Sequence, residues 1–296
     1  MRKRTALIGL NLKVERGEIF GYLGPNGAGK TTTIKILMNL ISPTKGEVRI
    51  FGENVKNVDI RKKIGFLPDR PYFYEYLTGR EFLDYCGKLF NLKKRERTER
   101  IDKLLELVGL TQDQNLQLRK YSQGMLQRLG FAQVLINNPE LLILDEPLTS
   151  LDPLGRRDFK DILIKMKNQG KTVFFSSHIL EDAEDICDRV GILVKGKLIK
   201  VGILEEFIKS EIEYTDIIVS AKNEYVIQKL KNAQFNVEKK GNYFLIRVSN
   251  SEDVYQTIQE IYGAGGKVIS VNPIRQKLEN IFLREISKIQ NNNKVV

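Results

Sequence analysis

Apolar positions along the chain fall into two rhythms. IFGYL (19–23), LLIL (141–144) and VFF (173–175) are continuous apolar runs of strand length, the pattern of strands buried on both faces of a parallel sheet. From Tyr72 to about Asn138 the spacing lengthens to that of helices, in EFLDYCGKLF, RIDKLLELVGL and QGMLQRLGFAQVLI, with no strong strand signal. This stretch is predicted to be a helical insertion in an α/β sheet domain. Ahead of it, LIGLNLKV (7–14) predicts a strand joined through ERGE to IFGYL, EVRIFG a second short strand, and IGFLPD (64–69) a strand stopped at Pro68. Beyond it, a helix is predicted from about Gly155 to Asn168, and GILVKGKLIKVG reads as a hairpin.

The rhythm changes again near Glu211. YTDIIVSA, EYVIQKLKNA, FNVEKK, YFLIRVS, EDVYQTIQEIYG and KVISV read as strand, helix, strand, strand, helix, strand, with Gly241-Asn242 as the turn between the two middle strands. That is the ferredoxin-like order. A last helix, KLENIFLREI, is predicted before NNNKVV, which is expected to be disordered. The sequence thus divides into a domain at 1–210, carrying the helical segment of about 72–138, and a C-terminal accessory domain at 211–296.

Composition narrows the class. No run approaches the roughly eighteen apolar residues of a membrane helix, and MRKRTALIGL lacks the form of a signal peptide, so a cytosolic location is expected. Cys86 and Cys187 lack metal-ligand spacing and read as free buried thiols. A net charge of +11 implies an anionic neighbour, whether nucleotide, nucleic acid or membrane surface. The densest basic cluster, Lys93 to Arg100, is interleaved with glutamates and lacks stacking aromatics, which favours a solvated helix face over a nucleic-acid patch.

Between the first apolar strand and the helical run TIKILMNL lies GPNGAGKTT, comprising Gly24, Pro25, Asn26, Gly27, Ala28, Gly29, Lys30, Thr31 and Thr32. The strand, glycine loop and helix occur in the order of a phosphate-binding loop, whose small residues let backbone N–H groups turn inward beside a positive helix end. Lys30 is placed to reach the β- and γ-phosphates of a nucleoside triphosphate, Thr31 to ligate Mg²⁺, and Thr32 to donate near the α-phosphate.

A second group of residues surrounds this loop. The run LLIL buries a strand that ends in Asp145 and Glu146, at the edge where parallel sheets bind ligands. Asp145 is suited to Mg²⁺, and Glu146 to accepting a proton from the water that attacks the γ-phosphate. The only histidine, His178, follows the next strand and should emerge on the same edge, where it can donate to the γ-phosphate. Asp152 reads as a turn residue before a helix, and Ser122 with Gly124 stands at another helix start, a second anion-binding end.

In this order and spacing the motifs GPNGAGKTT, SQG, ILDEP, SLD and SSH resemble those of the ATP-binding subunits of ABC transporters. The C-terminal portion is similar to the extension on subunits serving ABC-2-type export permeases. The resemblance implies a P-loop NTPase core with a small antiparallel β subdomain, a helical subdomain and a C-terminal ferredoxin-like α+β domain. It implies ATP and Mg²⁺ as ligands and a head-to-tail dimer in which the phosphate loop of one subunit faces Ser122 and Gly124 of the other. Asp152 would touch the facing site. The expected partner is an integral-membrane permease at the cytoplasmic face of the cell membrane, with no nucleic acid.

In the family, PYFYEYLTGREF (71–82) faces a short helix of the membrane subunit. Tyr72, Phe73, Tyr74 and Tyr76 suit either the lining of such a groove or core packing, and the two readings stand level.

Three departures qualify the resemblance. The family's first strand and adenine-stacking aromatic lie upstream of the first residue, the start is expected to lie further upstream, and no adenine-stacking residue is assigned. Asp69 stands where the family has a Mg²⁺-ligating glutamine, one methylene longer. The helix start reads SQGML, without the family's second glycine. A soluble ABC-type ATPase acting on ribosomes or DNA, or a non-hydrolysing nucleotide sensor, is the alternative reading. The single cassette, the short insertion and the retention of Glu146 and His178 argue against both.

Overall fold

The computed structural model describes residues 5–208, 212–220, 237–249 and 251–275, with residues 228, 278, 279 and 282 besides. The chain forms two compact units, Met1–Leu204 and Glu205–Val296.

The first unit is built on a six-stranded sheet. Its strands are β1 (Ile19–Leu23), β4 (Ile64–Leu67), β5 (Leu141–Asp145), β6 (Thr172–Ser177), β7 (Arg189–Val194) and β8 (Lys197–Ile203), in the spatial order β4-β5-β6-β1-β7-β8. All neighbours run parallel except β7 and β8, the hairpin around Lys195-Gly196. β1 and β6 are buried at every position, as their uninterrupted apolar runs require. A two-stranded antiparallel piece, β2 (Arg49–Ile50) with β3 (Glu53–Asn54), lies to one side in sequence, so EVRIFG supplies a strand of only two residues.

LIGLNLKV forms no strand. Leu10, Leu12 and Val14 alternate towards the core while Asn11 and Lys13 face water, but among the described residues no strand runs alongside to complete a ladder. Alternation reports one-sided burial; a strand also needs a backbone partner. Gly9, at φ 57, interrupts the extended run.

Helices follow their caps. α1 (Lys30–Leu37) begins directly at the phosphate loop. In the helical region, α2 (Gly79–Leu89) opens on a capping box of Thr78 and Glu81, followed by α3 (Lys94–Leu107) and α4 (Gln123–Leu135). α5 (Pro153–Asn168) carries proline in its first turn behind the cap Asp152, and α6 (Leu180–Glu184) is a short turn after β6. The basic cluster on α3 is only partly a solvated face. Arg97 is buried, donating to Asp84 and to the Leu92 carbonyl, and Arg100 donates to the Ile136 carbonyl. These arginines tie α3 to its neighbours.

α7 (Leu204–Ile208) straddles the division between the units. The second unit contains β9 (Ile212–Ser220), β10 (Val237–Lys240), β11 (Tyr243–Val248), α8 (Ser251–Gly263) and β12 (Lys267–Arg275). Its sheet has the antiparallel order β10-β11-β9-β12, with β9 paired to both β11 and β12. Ile217, Val219, Ile246, Val248 and Ile261 form its core. The sequence-predicted helices at EYVIQKLKNA and KLENIFLREI, and the tail NNNKVV, lie outside the described residues. No helix among the described residues is long and apolar enough to cross a membrane.

Candidate functional site: a nucleotide cleft at the strand ends

β1, β5 and β6 are neighbours in one parallel sheet, so the segments that leave their C-terminal ends meet at one edge. A cleft of about 860 Å³ opens there. From the phosphate loop it is lined by Asn26, Gly27, Gly29, Lys30, Thr31 and Thr32, and from the other strands by Asp69, Glu146, Thr149 and His178. Thr5, Ala6 and Lys195 complete its rim.

The loop backbone is shaped by close approach. Gly29 has φ 113 and Gly27 φ 77, in the region where side chains are strained. At Gly24 a Cβ would drive into the Leu193 carbonyl on β7, so only glycine lets the loop leave β1 there. The Gly24 N–H donates to the Ser177 carbonyl at 3.2 Å, and the Ala28 N–H to the Pro25 carbonyl at 3.1 Å. Lys30 is 6% exposed, and its ammonium folds back over the loop, donating to the Gly24 carbonyl at 2.6 Å and the Pro25 carbonyl at 3.3 Å.

Glu146 gathers three donors. Lys30 Nζ lies 3.1 Å from Oε1, His178 Nδ1 2.8 Å from Oε2, and the Thr149 hydroxyl donates to Oε2 at 3.2 Å. Its backbone is left-handed, at φ 50, a costly conformation for a residue with a side chain. One fastening that holds it is a hydrogen bond from the Glu146 N–H to Ser176 Oγ at 3.0 Å; that hydroxyl donates in turn to Asp145 Oδ1 at 2.6 Å. Asp145 is nearly inaccessible, and burial raises its carboxyl pKa above the ordinary carboxylate value. Hydrogen bonds from Ser176 and Thr31 oppose that rise, while the charges of Asp69 and Glu146 add to it.

Thr31, Asp69 and Asp145 offer hard oxygen donors, the chemistry that suits Mg²⁺. The described residues contain no group of three or more His, Cys, Asp or Glu able to hold a metal by themselves. That pattern fits an ion held by one or two protein groups together with phosphate oxygens, which is the usual habit of Mg²⁺.

Ser122, Gly124 and Asp152 are not among the residues that line this cleft. Ser122 caps α4, accepting from the Met125 N–H at 3.2 Å, and Asp152 caps α5, accepting from the Gly155 N–H at 2.8 Å. Two residues beyond the motifs, together with Ser176 of SSH, hold the site together. Ser176 pairs in register with Asp145, Thr149 reaches Glu146, and the buried Gln127 of α4 donates to the Pro147 carbonyl at 3.0 Å. Gln127 left a trace in the sequence, as a polar residue among the apolar positions of QGMLQRLGFAQVLI. Ser176 stands in the SSH motif, but its pairing with Asp145 is not readable there, because strand register is not written in a strand's own residues.

The aromatic run splits. Phe73 packs on Phe82 at 5.1 Å between ring centroids, while Tyr72, Tyr74 and Tyr76 stay exposed. Tyr74, Tyr76 and Tyr85 line a second groove of about 640 Å³ between α2 and α3. Cys86 and Cys187 are free and buried, and burial pushes the Cys86 thiol up to about 12.

Fold and cleft together define a P-loop nucleoside triphosphatase. Residues 7–149 match the family described as ABC transporter. The chain is 43% identical to an ABC transporter ATP-binding protein of Nostoc sp., over 97% of this chain and 85% of that protein. It is 37% identical to the bacitracin transport ATP-binding protein BcrA of Bacillus licheniformis, over 94% of this chain and 91% of that protein. Among solved structures, a dimeric post-hydrolysis ATP-binding cassette bound to ADP and Pi superposes with a TM-score of 0.62. Its identity is 29%, and the match covers 67% of this chain and 90% of that one. The chain belongs to the ATP-binding subunits of ABC transporters: it binds ATP and is an ATPase.

Proposed function

We propose that this subunit powers export through a separate integral-membrane permease, working at the cytoplasmic face of the membrane as one half of a head-to-tail ATPase dimer. The resemblance to the bacitracin transport protein BcrA supports the transport assignment.

The observation that carries the dimer is the division of the predicted site. Lys30, Thr31, Asp69, Asp145, Glu146 and His178 gather at one sheet edge, whereas Ser122 and Gly124 do not line the cleft. A cradle for a triphosphate with only one helix end gains a second from the α4 start of another copy. The negative charge of ATP then bridges two positive helix ends, and loss of the γ-phosphate weakens the bridge.

In this reading Gly24 to Thr32 wrap the phosphates, with Lys30 on the β- and γ-phosphates. Thr31 and Asp145 hold Mg²⁺, with Asp69 beside them, and the ion neutralises charge on the phosphate oxygens. Glu146 takes the proton of the attacking water, His178 holds the γ-phosphate and steadies Glu146, and Asp152 faces the partner's site. The groove bearing Tyr74, Tyr76 and Tyr85 receives the permease. Its charged groups are already engaged, Arg80 with Asp102, Asp84 with Arg97 and Lys88, and Glu81 in capping Thr78, which leaves aromatic surface for the partner.

The test is Glu146→Gln with ATP and Mg²⁺. Turnover should fall roughly 10²–10⁴-fold, and light scattering should show a persistent dimer that needs ATP. Steady hydrolysis by the variant, or a monomer throughout, refutes the assignment. Capture from solubilised membranes should recover a polytopic membrane protein; ribosomes or DNA in its place would refute the permease.

A further inference from the structure

The loop from Glu146 to Asp152 is the one segment that belongs to both halves of the proposed composite site, and it is fastened from two sides. Arg156 Nε of α5 donates to the Leu151 carbonyl at 3.2 Å, just before Asp152. Gln127 Nε2 of α4 donates to the Pro147 carbonyl at 3.0 Å, just after Glu146. The second bond is buried: Gln127 is 3% exposed, and the hydrogen bond joins two backbone segments 20 residues apart.

Gln127 also has a defined place on its helix. α4 starts at the cap Ser122, and at ~1.5 Å of rise per residue Gln127 sits about 7–8 Å along the axis from that end. A helix this short moves as a body, because its internal hydrogen bonds resist bending over two turns. Anything that draws the Ser122 end towards a phosphate also draws Gln127, and Gln127 holds the carbonyl next to Glu146. Glu146 is poised to feel such a pull, since its backbone is held at φ 50 by hydrogen bonds rather than by its own preference.

We infer that Gln127 is a positioning residue that makes Glu146 of one site answer to the nucleotide in the other. The inference rests on the composite dimer proposed above. ATP bound by the facing subunit engages Ser122 and Gly124, α4 shifts, and the bond from Gln127 to Pro147 carries the shift to Glu146 in the same subunit. Each subunit thereby commits its base only when both sites are filled. Pro147 has no backbone N–H, so its carbonyl is the one backbone polar group that it can offer to α4.

The test uses the full-length protein with Gln127→Met, which keeps the side chain's length and removes the donor, and Gln127→Glu, which keeps its shape and places an acceptor against the carbonyl. Binding of a fluorescent ATP analogue to dilute subunit should match wild type in both. Hydrolysis should slow about tenfold, and the Hill coefficient for ATP should fall from close to ~2 towards ~1.

A bond with a merely structural role would lower Tm and the active fraction while leaving the Hill coefficient at the wild-type value, and that result overturns the inference. Should Gln127→Met fail to fold, Gln127→Glu decides by the same readout. Two outcomes separate this inference from the reading beneath it. An ATP-dependent dimer in Glu146→Gln with unaltered cooperativity in the Gln127 variants removes the inference alone. No such dimer, together with a wild-type coefficient of ~1, removes the composite site and the inference with it.

Discussion

Lys30 Nζ stands 3.1 Å from Glu146 Oε1, so the cation of the phosphate loop and the carboxylate at the end of β5 share one ion pair. Both side chains are largely shielded, at 6% and 11% exposure, which makes each the other's main source of compensation. In the proposed function, a γ-phosphate entering the cleft would compete with Glu146 for Lys30. In the proposed site the phosphate would draw the ammonium away and leave the carboxylate without its cation, a first step before the facing site completes its alignment.

Replacing Lys30 should therefore do two things. Lys30→Ala removes a charge-assisted contact of about 1.5–3 kcal/mol, so ATP affinity should drop ~10–100-fold at 1.4 kcal/mol per decade. Equilibrium binding of ATP checks this. The same variant leaves Glu146 without its closest cation, and thermal unfolding should show a lowered Tm.

Asp145 predicts a stability gain from a disabling substitution. Burial raises its pKa, helped by the charges of Asp69 and Glu146, against the hydrogen bonds of Ser176 and Thr31. An acid whose pKa is higher in the folded chain than in the unfolded one costs stability wherever both are ionised. The Asp145 contribution alone is most favourable below the ordinary value of 3.8 and is lost as pH rises through the raised one. Asp145→Asn keeps the oxygen that accepts from Ser176 and removes the charge. Without Mg²⁺ its Tm at pH 7 should exceed that of wild type, the difference shrinking as pH approaches about 4, while ATP hydrolysis is lost.

Asp69 predicts a changed metal dependence. It lines the cleft and acts on Asp145 through its charge, which places it beside the proposed Mg²⁺ position. Asp69→Ala should raise the Mg²⁺ concentration for half-maximal hydrolysis ~10–100-fold, the usual effect of losing a group that supports a metal. A Mg²⁺ titration at saturating ATP measures it, and an unchanged midpoint would remove Asp69 from the metal's surroundings.

Gly24 predicts a defect of packing. A Cβ there meets the Leu193 carbonyl and lies within 3.2 Å of the Ala28 side chain, both on rigid backbone. Gly24→Ala should lower stability by about 1–3 kcal/mol, the range for overpacking, and denaturant unfolding reports it.

Much of this was legible before any coordinates. The buried strands β1, β5 and β6 announce themselves as unbroken apolar runs, and the loop between β1 and α1 follows from its glycines and its neighbours. The absence of a strand at Leu7–Val14 was not legible, because burial on one side writes the same alternation whether or not a partner strand runs beside it. The clustering of Lys30, Thr149 and His178 on Glu146 needed the sheet order, which brings β5 between β4 and β6. Gln127 was visible as a polar residue on an apolar helix, but its partner Pro147 sits 20 residues away on another element. Arg97 shows the converse: within a basic run it looked like surface, and its bonds to Asp84 and Leu92 bury it.

The six-stranded sheet is complete by Ile203, and the last residue on the rim of the nucleotide cleft is Lys195. Among the described residues the cleft is lined from the first unit alone, and the second unit has an open four-stranded sheet of its own, in which β9 lies between β11 and β12. Each unit therefore carries a core of its own, and substitutions confined to Ile217, Val219 or Ile246 fall in a core that supplies none of the described cleft lining.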